Sequence, residues 1–313
     1  MTLHALRDSL FQPARHYRAL SDAERNELKA SGNHAQDWNT VLVEDGFAPG
    51  RVRNCRFEGT VRIGASTVEE IEFDGLRRPT GVYDSFIQDC DLGRNVLIDG
   101  VRHLSQTIVQ DGAVLLNVGE VSCPAPPAAF PIDLWNENGG RAILATEGML
   151  LADAYLWAKR RDDRNFIQRM QSMAAIDLPP YSIIGSNCVV QNANSLRRVR
   201  IGNSARIIGA DRLHNVFVQS GADAAVEIGE GTHIENAVIG EGCRVLSHAI
   251  AENVLLCPFA TLQFGARVIH SVVGENSQVY CCEVLSSLIF PFHVQHHNNS
   301  FLISSCVEGQ SNV

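Results

Sequence analysis

Between Ile183 and Val279 a short apolar residue followed by glycine keeps returning: Ile184-Gly185, Ile201-Gly202, Ile228-Gly229, Ile239-Gly240, Phe264-Gly265 and Val273-Gly274. Several of these pairs open a six-residue phrase, as in Ile-Gly-Ser-Asn-Cys-Val from Ile184 and Ile-Gly-Glu-Gly-Thr-His from Ile228. The phrase carries a large apolar residue first, glycine second and a small or β-branched residue fifth. A chain built this way repeats one short strand and one turn. The first residue points inward and stacks on its equivalent in the next coil, the glycine permits a tight bend, and the fifth residue fits a narrow corner. Three phrases close a coil of roughly 18 residues, and coils stack into a prism. The expected fold is therefore an all-β solenoid, a parallel β-helix.

The same step occurs earlier, from Leu92 to Ile98, so the coil starts well before Ile183, with looser phrases and longer insertions. Residues 15–31 read as a helix, because Ser21-Asp-Ala-Glu24 is a capping box and Gly32-Asn33 is a stop. The polar and aromatic run from Gly32 to Trp38 reads as a cap on the prism. Leu76 to Asp84 reads as an insertion. The prolines from Pro124 to Pro131 forbid regular strand or helix. A helical run follows over 147–175, with apolar residues at helical intervals, and the charged stretch Lys159 to Arg164 marks a bend between two helices. Pro179-Pro180 ends that run. The organisation expected is an N-terminal helical cap (1–40), a first β-helix portion (41–122), a proline-rich loop with a helical insertion (123–180) and a second β-helix portion (181–313). The stop at Val313, without helix or charged tail, reads as a truncated or uncapped coil, a fragment or a last coil covered by a partner.

With 313 residues, 45% hydrophobic, the chain can bury a sizeable core. A net charge of −9 argues against a basic nucleic-acid surface. No signal peptide and no membrane-spanning stretch is read, so a cytoplasmic protein is expected. Nine scattered cysteines, without a CxxC, suggest neither a disulfide framework nor a zinc ribbon. Cys188 and Cys243 stand fifth in their phrases and read as core thiols. No Walker motif, GxGxxG, GxSxG or HExxH occurs.

The phrases Gly-Asn-x-x-x-x-Trp (32–38), Gly-Val-Tyr-Asp-Ser (81–85), Asn-Glu-x-Gly-Gly-Arg (136–141) and His-His-Asn-Asn-Ser (296–300) together resemble a large, mostly bacterial family of uncharacterised hexapeptide-repeat proteins. Its members typically continue beyond the point where this chain stops. The resemblance implies a left-handed helix. In fold the family is similar to sugar acyltransferases and to the β-helix of sugar nucleotidyltransferases, a fold-level analogy.

That analogy sets the first functional expectation, acyl or related transfer to a sugar or nucleotide-sugar, with acyl-CoA as co-substrate and no permanently bound cofactor or metal. A homotrimer is implied, its clefts holding both substrates, with no nucleic-acid or membrane partner. A surface histidine would serve as general base, since its pKa lies near working pH. His214, His233, His248, His270, His293, His296 and His297 are the candidates; the cluster His293, His296 and His297 is preferred as catalytic. If the strand continues, His293, Gln295 and His297 share one face. Gln295, Asn298 and Asn299 would orient substrate, and Arg141 and Tyr83 would contribute to binding. Arg141 follows Gly139-Gly140, which could aim backbone N–H groups at a phosphate ahead of a helix. The alternatives are a non-catalytic binding or assembly module and, less favoured, a His-metal enzyme, for which no two histidines show the five-residue spacing of the β-helix carbonic anhydrases.

Overall fold

The computed structural model describes Arg7 and residues 15–136, 140–174 and 178–313. The chain forms two compact units. One comprises residues 1–125 and 179–204, the other residues 126–178 and 205–313. Both are parallel β-solenoids, as the repeated phrases require, and their strands are two to seven residues long.

The coil is shorter than the expected 18 residues. In the second unit Ile228 pairs with Val245, Val245 with Leu262 and Leu262 with Val279, a spacing of 17. In the first unit Ile87 pairs with Leu104 and Leu104 with Val121, again 17. The missing residue is lost at one corner, which turns on a single residue in left-handed backbone: Asn215, Asn236, Asn253 and His270 on successive coils of the second unit, Asp89 and Gln106 in the first. Asparagine and aspartate tolerate that conformation better than most side chains.

The interior consists of stacked columns. Ile207, Ile228, Val245, Leu262 and Val279 form one, each essentially inaccessible to solvent. Fifth-position residues Cys188, Ala205, Thr232 and Cys243 are all buried, as the phrase predicts. Gly185 is needed because a Cβ there would lie 2.5 Å from the carbonyl carbon of Gly202 on the next coil. Phe264-Gly265 is a correction. Phe264 is exposed in a turn at φ 56°, and the buried positions of that phrase are Leu262 and Ala266.

The first helix, α1, runs only from Asp22 to Ala30. Ser21 and Glu24 form the expected capping box. Because the cap residue is extended, the residues before it are too, and Tyr17–Ala19 pairs antiparallel with Leu42–Glu44. At the other end Gly32 (φ 80°) and Asn33 donate to the carbonyls of Lys29 and Leu28, a Schellman stop. The Asn33 amide also bonds Leu28 O and Val52 O and accepts from Cys55 N, which ties α1 to the coil. The insertion expected at 76–84 is corrected: it is a hairpin, Glu70–Phe73 with Leu76–Pro79, turning at Asp74-Gly75 with both residues at positive φ, and Gly81–Tyr83 is already a coil strand paired with Leu97–Asp99.

The segment after Ala125 folds in the second unit. Contrary to the proline argument, Phe130–Asp133 is a strand, paired antiparallel with Ala142–Ala145; Pro131 is accommodated because the pair is an isolated two-stranded ribbon with open edges. Two helices follow, α2 (Leu151–Lys159) and α3 (Arg164–Ala174). The bend falls in the charged stretch: Arg160 ends α2, and the Asp163 carboxylate caps α3 through Phe166 N. Residue 175, the end of the expected run, lies outside the described residues. Trp157, Ala154, Ile132 and Ile143 bury themselves against an outward column of the coil, Phe217, Val238, Leu255, Val272 and Leu288. No helix among the described residues is long and apolar enough to cross a membrane.

Candidate functional site

The expected histidine cluster divides. His293 continues an inward corner column of Val226, Cys243, Ala260 and Ser277, and Gln295 continues the column of Leu262 and Val279. Both are fully buried. At this coil the core turns polar, and its polar groups satisfy one another. His293 Nε2 lies 3.3 Å from Gln295 Oε1 and Nδ1 lies 2.8 Å from Ser311 Oγ. A consistent assignment has Nε2–H donating to the amide oxygen and the Ser311 hydroxyl donating to Nδ1. The Gln295 amide then donates to Ser300 Oγ at 3.1 Å. Burial holds the His293 pKa below its ordinary value, partly offset by the bond to Gln295. His293 is thus a neutral, interior group.

His296 and His297 are both exposed, with ring centroids 4.6 Å apart. The shared face of His293, Gln295 and His297 is overturned because the strand stops at Gln295 and a turn follows, so alternation does not extend to residue 297. Asn298 and Asn299, the latter at φ 67°, are exposed and line a cleft of about 370 Å³ with Arg267, Cys281, Cys282 and Glu283. Tyr83 belongs to the first unit. Its hydroxyl donates to Thr80 O at 3.0 Å, the Arg53 guanidinium lies 5.4 Å from its ring, and burial raises its pKa. Among the described residues no three His, Cys, Asp or Glu side chains are grouped to hold a metal ion.

Arg141 stands elsewhere in the second unit, at the mouth of an open groove of about 990 Å³. Gly139 lies outside the described residues, and Arg141 leads into the strand Ala142–Ala145 rather than into a helix, so no helix N-terminus is aimed at an anion there. What the groove holds instead is a set of cations on aromatic rings. The Arg141 guanidinium sits 5.6 Å from the Trp135 ring, and the Lys159 ammonium 5.7 Å from the Tyr155 ring. Tyr155 meets Trp135 and Phe290 edge to face. Arg161 donates to the carbonyls of Ala142 and Gly140, joining α2 to the ribbon. Among the described residues no ion pair engages Arg141 or Lys159, while Asp162 and Glu308 supply negative charge at the rim. Among the described residues the buried Nε1 of Trp135 has no hydrogen-bond partner. Sequence reading singled out Arg141 but missed Tyr155, Lys159 and Arg161. Tyr155 and Lys159 stand four apart on one helix, a spacing that brings an aromatic and a cation together.

A ladder of side chains anchors the ribbon that carries Trp135. Asn215 donates to Asn236 Oδ1 at 2.9 Å, and Asn236 to Asn253 Oδ1 at 3.0 Å; Asn253 Nδ2 lies 3.4 Å from His270 Nε2, which carries the ring proton when Nδ1 accepts, so the hydrogen-bonded ladder ends at Asn253. The strap is held at both ends: Asn215 exchanges two bonds with the backbone of Ala128, and His270 Nδ1 accepts from Asp133 N at 3.2 Å. Trp135 N then donates to Ser286 O at 2.7 Å. His270 is therefore a fastening of the strap. His214 accepts from Arg212, His233 lies beside Glu235, and His248 stacks beneath Gly231.

A family described as a domain of unknown function, DUF4954, matches residues 17–308, nearly the whole chain and every element described above. The chain belongs to the DUF4954 family. A relative from Treponema pallidum (strain Nichols), named only "Uncharacterized protein", is 37% identical over 321 residues. That alignment covers 96% of this chain and 44% of the relative, so the chain spans less than half of the relative's length.

Proposed function

We propose that this DUF4954 chain is a transferase-like β-helix protein whose groove beside Trp135 and Tyr155 binds a sugar phosphate or nucleotide-sugar. The observation that carries the reading is the pair of cations, Arg141 and Lys159, resting on aromatic rings at an open groove without a carboxylate partner among the described residues. Guanidinium and ammonium groups suit the phosphates, Arg141 as a fork and Lys159 as a point charge. Exposed parts of the aromatic rings suit a sugar or base. An acyl-CoA, with its phosphates, is the corresponding donor. The burial of His293 favours a second reading, a module that binds without turnover; under the first, the exposed His296 or His297 supplies the base. The resemblance adds a trimer, and buried thiols such as Cys188 and Cys243 fit the reducing, cytoplasmic setting that is part of this proposal.

Titration calorimetry with UDP-N-acetylglucosamine and acetyl-CoA tests the groove. Binding is expected to weaken at least about tenfold in Arg141→Ala and again in Lys159→Ala, the loss of one charge-assisted contact each. Absence of binding across nucleotide-sugars and acyl-CoAs, or binding that ignores both substitutions, overturns the reading. Release of free CoA with both substrates present separates turnover from binding alone.

A further inference from the structure

The chain's adjacent cysteines, Cys281 and Cys282, line the cleft that also holds Asn298 and Asn299. Cys281 occupies a corner in left-handed backbone (φ 48°) and is partly exposed; Cys282 is buried behind it. Both thiols also fasten the following coil. Cys281 donates to His296 O at 3.5 Å and Cys282 to His297 O at 3.3 Å, while the Ser300 hydroxyl lies 3.1 Å from Cys282 Sγ. Both sulfurs thus touch the turn that carries His296, His297, Asn298 and Asn299, although the nearest acceptor of the Cys282 thiol is Tyr280 O at 2.6 Å and the Ser300 hydroxyl also closes the turn on His297 O at 2.9 Å. The backbone bonds of that turn are Ser300 N to His297 O at 3.2 Å and Glu283 N to Ser300 O at 3.3 Å.

We propose that Cys281 and Cys282 form an oxidisable vicinal dithiol, and that its closure to a disulfide by a hydroperoxide releases the 296–300 turn. The accessible Cys281 thiolate attacks the peroxide, breaks the O–O bond and becomes a sulfenic acid, with one water or alcohol leaving. The Cys282 sulfur then attacks the Cys281 sulfur; the S–O bond breaks and the oxygen leaves as water with the Cys282 proton. Two thiols and one hydroperoxide become one disulfide, one water and one further water or alcohol. Burial raises the pKa of Cys282, which leaves the first attack on the peroxide to the more accessible Cys281. Neighbouring Cα atoms stand ~3.8 Å apart, closer than the ~4.4–6.8 Å of ordinary disulfides. The bridge is therefore strained and easily reduced, the property of a reversible switch. Once formed, it has no S–H to offer His296 O or His297 O.

The test uses the full chain carrying Cys306→Ser, which removes the exposed thiol, treated with hydrogen peroxide and followed by intact mass and hydrogen exchange. The expected first product has lost the mass of two hydrogens, maps to the peptide holding residues 281 and 282, and reverts with dithiothreitol. Amide exchange at Glu283 and Ser300 is expected to speed up at least about fivefold in that product, the mark of a local opening. Cys281→Ser, a change at a partly exposed corner, must abolish the bridge. Oxygen addition at Cys281 without a bridge, no reaction, a bridge that survives Cys281→Ser, or a bridge that leaves exchange unchanged each overturns the proposal.

Discussion

Replacing Asn236 by alanine tests whether the asparagine ladder holds the strap. Asn236 accepts from Asn215 and donates to Asn253, and its backbone sits at φ 51°. Two side-chain hydrogen bonds are lost, each worth about 1 kcal/mol net. The Asn253 Oδ1, in a residue 8% exposed, loses its donor, at a further cost of about 1 kcal/mol. Alanine in left-handed backbone adds roughly 1 kcal/mol. The total is about 3–4 kcal/mol, confined to the second unit. Urea unfolding followed by fluorescence reads it, because Trp135 and Trp157 both lie in that unit. Asn236→Gly separates the contributions: glycine removes the conformational cost and keeps the hydrogen-bond loss, so it is expected to recover about 1 kcal/mol. A loss under about 0.5 kcal/mol for Asn236→Ala, the range of an ordinary surface change, would refute the ladder. Equal losses for Ala and Gly would refute the conformational share.

In the first unit Asp91 is fully buried between Arg7 and Arg62, so Asp91→Ala leaves two buried guanidinium groups without their carboxylate; a loss of about 3–5 kcal/mol is expected by denaturant titration read at Trp38. Gly185→Ala is expected to destabilise the first unit by about 1–3 kcal/mol through its close approach to Gly202, whereas Gly221→Ala, with open space around it, stays near wild type in the urea titration of the second unit. The bond from Arg18 lowers the Glu24 pKa from 4.5 to about 2. The stabilisation of α1 by that carboxylate is present in full above pH 4.5 and disappears as pH falls through about 2; hydrogen exchange across Asp22–Ala30 should follow that window, and Glu24→Gln should abolish the dependence. Cys90 and Cys243, whose thiols burial raises to about 12, should resist a thiol reagent in the native protein while the exposed Cys306 reacts first.

Much of the coil was legible in the residues. Ile184, Ile201, Ile228 and Ile239 are buried where the phrase puts an inward residue, and Cys188, Ala205, Thr232 and Cys243 fill the fifth positions. The capping box at Ser21 and the bend near Arg160 were readable for the same reason: each depends on residues three or four apart in sequence. The Asp74-Gly75 hairpin was equally local and was passed over. The ladder was present in the spacing, since Asn236, Asn253 and His270 stand 17 apart, but it becomes visible only when the coil length is 17 rather than 18.

What the sequence determined by itself is the repeating strand and turn, because each phrase satisfies a local requirement: an apolar residue to bury, a glycine to bend, a small residue for a corner. Where the polar and aromatic groups meet was decided by tertiary structure alone. Trp135, Arg141, Tyr155 and Lys159 gather because the ribbon and α2 pack on one apolar column of the coil, and His293 lies inside while His297 lies outside because one strand ends at Gln295. Stacking sets which side of the coil each residue faces, and that depends on the length of every preceding turn rather than on the identity of the residue.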